Sequence, residues 1–260
     1  MKELKEYLYY HEDGPPTIDI YKGNALEIMP FLPKVDLIAC DPPYGLNYNG
    51  GSDLASQREA AFGGDKEKMK PRPIQTDGED ESKILFEAFL KIANDKLLKG
   101  GACCCCCCCC GGGGPKPLFA EWTLMMDKAI GFKQAVVWDK GGLGMGMHYR
   151  RNYEFILIAQ KKGPKAHRWN GGNDTPNVWR IGKIIPNENQ HPTIKPVELM
   201  DKIIRIHSNE GDLVLDAFMG SGTTLVSAKA LKRNAIGIEL EDRWCEKAKK
   251  RLMNTQVPFL

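Results

Sequence analysis

The chain has no continuous apolar run of about 18 residues, so no segment of it reads as a membrane span. Its opening stretch, MKELKEYLYYHEDGPP, holds neither an apolar core nor a small-residue cleavage site, so no signal peptide is expected. A cytosolic location follows as the default. A strong charge imbalance is missing too: the formal net charge is only +3, which excludes a general polycation and leaves room for a local basic patch. Spaced cysteine pairs are also absent, since Cys103 to Cys110 form one uninterrupted run. Adjacent cysteines cannot bridge without severe strain, and a zinc site wants pairs separated by two to four residues. Neither a disulfide framework nor a metal site is therefore expected. Free cysteine behaves as a small buried hydrophobe, so the run predicts a strand buried on both faces of a parallel sheet. It follows Leu97-Leu98-Lys99-Gly100-Gly101, which reads as a helix ending at glycine.

At 260 residues, 42% apolar and 27% charged, the composition is that of an ordinary globular enzyme with one sizeable α/β domain. No internal repeat is visible. Short apolar runs alternate with amphipathic stretches, which predicts βα units and a mostly parallel sheet. Strands are expected at 17–21, 35–40, 134–138, 153–159, 213–216 and 235–239, and helices at 24–32, 81–98, 118–130, 196–207, 223–231 and 242–253. Two stretches break the pattern. Residues 45–80 are rich in Gly, Asn, Ser, Lys and Pro, too long for a mere connection. Residues 161–190 are irregular and basic, with tryptophans interleaved among the cations.

Asp216-Ala217-Phe218-Met219-Gly220-Ser221-Gly222-Thr223-Thr224 lies between a predicted strand and a predicted helix. Such turns at the carboxyl edge are where open α/β sheets bind ligands. Glycines allow positive φ and close backbone approach, and the helix start presents free N–H groups. Glu239 ends the next strand, where a carboxylate is placed to accept both hydroxyls of a ribose. No lysine follows the second glycine as a phosphate-binding loop requires, and the three-glycine dinucleotide spacing is absent. A plain turn without ligand stays open on this segment alone.

Asp41-Pro42-Pro43-Tyr44 ends a buried strand. Two prolines stiffen the backbone, and a rigid carbonyl beside a carboxylate makes a pair of acceptors for an amino group with two hydrogens. Tyr44 offers a flat face for stacking, worth roughly 1–3 kcal/mol per base in single-strand binders. The combination describes a socket for an amine-bearing ring such as adenine or cytosine. The bland reading, a strand-end turn with a proline-stiffened loop, remains beside it.

The two motifs together, with their order, resemble the DNA amino-methyltransferases of adenine N6 and cytosine N4, which pair an Asp-Pro-Pro-Tyr tetrad with a Phe-x-Gly-x-Gly cofactor loop. The tetrad precedes the loop here, as in the permuted β group of that family, and His191-Pro192-Thr193-Ile194-Lys195-Pro196 matches the His-Pro-Thr-x-Lys-Pro segment of the same group. The resemblance covers nearly the whole chain. It implies a single Rossmann-like α/β methyltransferase domain over 1–260, with a seven-stranded, mostly parallel sheet and helices on both faces. Its catalytic half would span about 17–160 and its cofactor half about 191–254. It implies S-adenosylmethionine held by Asp41, His191, Thr193, Lys195, Asp216, Phe218, Gly220, Ser221, Gly222, Thr223 and Glu239. Asn24 stands where the family often has aspartate reaching the cofactor's adenine, so that contact keeps an acceptor and loses a charge.

The reaction it implies is methyl transfer to a flipped-out base by direct attack of the exocyclic amine, with Asp41 and the Pro42 carbonyl drawing its hydrogens and Pro43 and Tyr44 completing the socket. No Pro-Cys nucleophile for cytosine C5 chemistry is present. Double-stranded DNA is the expected partner, with Lys161, Lys162, Lys165, Arg168, Trp169 and Arg180 as candidate contacts to phosphates and base edges. Residues 45–80 are expected to close over the flipped base. A homodimer, common among similar proteins, and a cognate restriction endonuclease stay open. Adenine N6 is the first reading. Cytosine N4 is the alternative, followed by an RNA or protein-amide methyltransferase and a non-catalytic DNA-binding module.

Overall fold

The computed structural model describes residues 3–43, 79–107, 118–142, 152–163, 169–184 and 194–257. The chain divides into two compact units where one was expected: residues 1–42 with 88–260 form the first, and Pro43–Glu87 the second. The described part of the second is Pro43 and the start of the helix Glu79–Lys96.

The first unit is built on one sheet of nine strands among the described residues, so the expected count of seven is corrected. In chain order these are β1 Leu8–Glu12, β2 Ile18–Lys22, β3 Val35–Cys40, β4 Leu97–Cys107, β5 Phe132–Asp139, β6 Tyr153–Gln160, β7 Val178–Arg180, β8 Leu213–Asp216 and β9 Asn234–Glu239. Their order across the sheet is β1-β2-β9-β8-β3-β4-β6-β5-β7. The two extra strands, β1 and β7, lie at the edges. The sheet is mixed: β1 runs antiparallel to β2, and β6 antiparallel to both β4 and β5, while the other neighbours are parallel. The predicted catalytic and cofactor halves interleave in it, since β2 pairs with β9 and β3 with β8.

Every residue of β3, VDLIAC, is buried, as a central strand covered on both faces requires. Cys103 to Cys106 are likewise buried free thiols, and burial is the main cause pushing Cys40 up to about 12. The buried-strand reading of the cysteine run therefore holds through Cys106, the strand itself continues to Cys107, and Cys108 to Cys110 lie outside the described residues. Its neighbours differ from expectation, because β4 is parallel to β3 but antiparallel to β6. The helix before it also stops earlier, at Lys96, and Leu97 already pairs with Val35. The physical reason is a tie at the helix end: the Lys161 ammonium donates to the carbonyls of Asn94 and Leu97, and that of Lys96 to Pro30 and Leu32.

Helix Val197–His207 buries Leu199, Met200, Ile203, Ile204, Ile206 and His207, close to the spacing of one helical face. Helix Thr223–Ala230 follows β8, and helix Asp242–Met253 packs Trp244, Cys245, Ala248 and Leu252 inward. Among the described residues no helix is long and apolar enough to cross a membrane.

The topology fixes where a ligand belongs. From β8 the chain crosses to β9 on one side, whereas from β3 it crosses to β4 on the other. Both crossovers join parallel strands and are right-handed by the general rule, so their helices fall on opposite faces. The adjacent strands β3 and β8 therefore flank a topological switch point, and open α/β sheets bind their ligands outside the carboxyl ends of such strands.

Candidate active site

Asp41 follows β3 and Asp216 ends β8, so the switch point brings two carboxylates from distant sequence together. Their side chains meet different partners. Asp216 accepts the Phe218 N–H at 3.0 Å on one oxygen and the Thr224 hydroxyl at 2.5 Å on the other. Burial pushes its carboxyl up to about 7 despite those donors, with the charges of Asp41 and Glu239 adding to the rise.

Asp41 is held by one oxygen only. Its Oδ2 accepts from the Lys195 ammonium at 2.8 Å, whereas its Oδ1 is buried and has no hydrogen-bond partner among the described residues. Burial pushes this carboxyl up to about 6; Lys195 pulls it down, and the charge of Glu154 pushes it up. Glu154 stands near the start of β6 with Oε2 3.5 Å from the Lys195 ammonium and Oε1 2.9 Å from that of Lys140. The strand YEFILIAQ carries one charged residue, and that isolation in an apolar run was a signal the sequence reading passed over.

The glycine-rich turn is fastened from three directions. Gly220 N–H donates to Glu239 Oε2 at 3.0 Å, and Met219 N–H to the Ile238 carbonyl at 3.0 Å. Gly222 sits at φ 76°, the left-handed N-cap of helix Thr223–Ala230, and an added Cβ there would lie 2.7 Å from the Ala248 Cβ. Arg251, near the end of the last helix, donates to the Ser221 carbonyl at 2.7 Å and to the hydroxyls of Ser221 and Thr223 at 3.2 and 3.0 Å. Those hydroxyls thus help latch the loop, each as an acceptor that keeps its own O–H to donate. Sequence reasoning missed Arg251, which looked like part of a basic helix end. Phe218 packs edge-on against Phe89 with centroids 5.4 Å apart.

Glu239 ends β9 with each carboxylate oxygen taking one backbone N–H, from Gly220 and from Glu241. A carboxylate offers about four lone-pair sites, so acceptor capacity remains for a diol. Asn24 reaches the same edge through the pairing of β2 with β9, but its side-chain oxygen caps the next helix turn by accepting the Leu26 N–H at 2.9 Å. Tyr44, Lys165, Arg168, His191 and Thr193 lie outside the described residues, as do residues 45–78 of the long loop.

The four described candidate DNA contacts, Lys161, Lys162, Trp169 and Arg180, do not share one place. Because β6 is antiparallel, its end at Gln160 lies at the amino edge of the sheet, and Lys161 bonds there with Gly100 and Gly101 at the start of β4. Trp169 packs on His207, at the far end of the helix that begins beside Lys195, with centroids 5.5 Å apart. Lys161, Lys162 and Trp169 are thus about one strand length, on the order of 25 Å, from Asp41. Lys161 is, in addition, committed to helix carbonyls. Arg180 pairs with Asp139 at 3.0 Å and is 83% exposed at the carboxyl edge. Of the described candidates it alone stands on the edge that carries Asp41. The other three stand at the opposite edge or beside His207.

A carboxylate whose buried oxygen has no donor among the described residues, beside a glycine turn and an acidic strand end at a switch point, is the arrangement expected of a group-transfer enzyme with a nucleoside-bearing cofactor. The residues fit S-adenosylmethionine: Glu239 retains acceptors for a ribose, and Gly220 and Gly222 leave the turn backbone unshielded by side chains.

Comparison with known proteins gives the family. Residues 35–250 match the DNA methylase family of N6 and N4 methyltransferases, and the chain belongs to it. It is therefore an S-adenosylmethionine-dependent DNA methyltransferase of an exocyclic amino group. The chain is 26% identical over 258 residues to the type II methyltransferase M2.MboI of Moraxella bovis, covering 93% of this chain and 90% of that protein. It is 32% identical over 274 aligned positions to the DNA adenine methyltransferase YhdJ of Escherichia coli (strain K12), covering 92% and 84%. The crystal structure of an M1.HpyAVI–SAM complex superposes with a TM-score of 0.63 at 26% identity, covering 90% of this chain and 99% of that one. The cytosine-N4-specific PvuII DNA methyltransferase superposes with a TM-score of 0.68 at 18% identity over 93% and 88%, a likeness of fold alone.

Proposed function

We propose that the chain methylates adenine N6 at a specific site in duplex DNA, with Asp41 as the group that engages the amine. The observation that carries the reading is the division of labour on the Asp41 carboxyl, Oδ2 on Lys195 and Oδ1 buried without a partner among the described residues. An unmet buried acceptor costs about 1–3 kcal/mol, which a donor on the substrate recovers.

Asp41 Oδ1 accepts one N–H of the exocyclic amine and the Pro42 carbonyl accepts the other. Drawing both hydrogens to one side turns the nitrogen toward tetrahedral geometry and frees the lone pair that the ring otherwise delocalises. When bound, the cofactor supplies a methyl group made electrophilic by its sulfonium. Lys195 holds the carboxylate still, so the rate gain is one of position and electrostatics. A carboxyl titrating at about 6 is ionised at pH 7.5 and still basic enough to take the proton that the methylated amine sheds. The base must leave the helix, at a cost of a few kcal/mol, and Tyr44 is assigned the stacking that recovers part of it.

Adenine rather than cytosine N4 is supported by aspartate at the first tetrad position and by the adenine specificity in the name of the 32%-identical relative. A modification role beside a cognate endonuclease and a homodimeric assembly belong to the same proposal. The test is transfer from methyl-labelled cofactor to unmethylated duplex DNA, with nucleoside analysis of the digest. N6-methyladenine is expected. N4-methylcytosine would keep the chemistry and replace the base, and no transfer to any DNA would overturn the reading.

A further inference from the structure

The Asp41 carboxylate ends a row of four alternating charges drawn from separate segments. Lys140, just past β5, contacts Glu154 at 2.9 Å; Glu154 lies 3.5 Å from Lys195; Lys195 lies 2.8 Å from Asp41. Glu154 is 8% exposed and Lys195 9%. Desolvating a buried ion pair often costs more than its attraction returns, and apolar replacements are commonly as stable. A glutamate in the apolar strand YEFILIAQ is thus not explained by stability. It is explained by control of Lys195. A lysine is a point charge on a flexible stem, and one contact with Asp41 would leave it several ways to turn.

We propose that Glu154 is a positioning residue for methyl transfer: backed by Lys140, it anchors the Lys195 ammonium on Oδ2 of Asp41 and so keeps Oδ1 presented to the substrate amine. This rests on the role assigned to Asp41 above. Among the described residues four groups face the Asp41 carboxyl electrostatically: Lys195 from the segment before helix Val197–His207, Glu154 from β6, Cys106 from β4 and Asp216 from β8. Glu154 also offsets part of the lysine's charge, so Asp41 stays basic enough to take a proton.

Wild-type, Glu154→Gln and Lys140→Gln proteins are compared for kcat, for the KM of DNA, for cofactor affinity and for the acid limb of kcat against pH. Glu154→Gln should lower kcat about 10–100-fold with KM and cofactor affinity changed no more than about twofold, because the loss is one of placement. Removing a negative charge should also move the acid limb down by roughly one pH unit. Lys140→Gln, removing a positive charge from the row, should move it up. Should Glu154→Gln fail to fold, the direction of the Lys140→Gln shift decides alone. An unchanged kcat, a lowered kcat with an unmoved limb, or limbs that move the same way in both variants would overturn the proposal. Absence of methyl transfer in the wild type would instead sink the proposed function, so the two failures are told apart.

Discussion

Asp41→Asn should abolish methyl transfer and make the protein more stable at alkaline pH. The magnitude follows from the burial of the carboxyl, which lifts it from 3.8 to about 6 against the pull of Lys195. The folded chain therefore holds this proton more tightly than the unfolded chain. Its stabilisation is full below about pH 4 and is lost as pH rises through about 6, the reverse of the usual paired aspartate. A shift of two units corresponds to about 3 kcal/mol. Asparagine copies the shape of the neutral acid and never ionises, so Asp41→Asn should exceed wild type by up to about 3 kcal/mol at pH 8, roughly 5–10 °C in melting temperature for a chain of this size. At pH 4 the two should coincide. Asp216, raised to about 7, acts with the same sign in both proteins and largely cancels from the difference. Thermal unfolding from pH 4 to 8, without cofactor or DNA, measures the gap. A gap that is constant with pH, or a variant less stable than wild type at pH 8, would refute the electrostatic account.

Gly222→Ala places a side chain at φ 76° and its Cβ 2.7 Å from that of Ala248. The left-handed backbone alone costs about 1–2 kcal/mol, so a loss of roughly 2–4 kcal/mol in urea unfolding is expected, with weaker cofactor binding; a loss under about 0.5 kcal/mol would show that the turn relaxes freely. Thr224→Val removes the hydroxyl donor from Asp216 Oδ2. It should cost about 1–3 kcal/mol, more at pH 8 than at pH 5 because Asp216 is then pushed further above about 7, and a pH-independent loss would contradict that.

What the sequence disclosed was local. Strand 213–216, the glycine turn and the helix from Thr223 sit where periodicity and turn chemistry put them, because each is specified by consecutive residues. The edge strands were not readable: β7 has three residues, and Leu8–Glu12 is half-exposed and takes its conformation from pairing with β2. The helix end at Lys96 is set by Lys161, 65 residues away, and no glycine rule anticipates that. The placement of the described cations in 161–184 was hidden for a related reason. Composition reports that cations are present, but the direction of β6 decides which edge of the sheet they occupy.

The site carried the same limit in sharper form. Three acids were singled out, Asp41, Asp216 and Glu239, and from sequence alone nothing separated their tasks. Hydrogen bonding separates them. Asp216 has both oxygens occupied, by the Phe218 N–H and the Thr224 hydroxyl, and is bound into the fold of the turn. Glu239 has one backbone donor on each oxygen yet remains half-exposed, so it holds the turn and still faces a ligand. Among the described residues no donor reaches one buried oxygen of Asp41, while its other oxygen is pinned. Folding gains nothing from that arrangement, since a neutral or fully bonded side chain would serve the strand end better. Among the described residues nothing donates to that oxygen at the carboxyl ends of β3 and β8, and the proposed function assigns it a donor on the substrate. An amino group with two hydrogens is the donor whose geometry a carboxylate and a proline carbonyl jointly match.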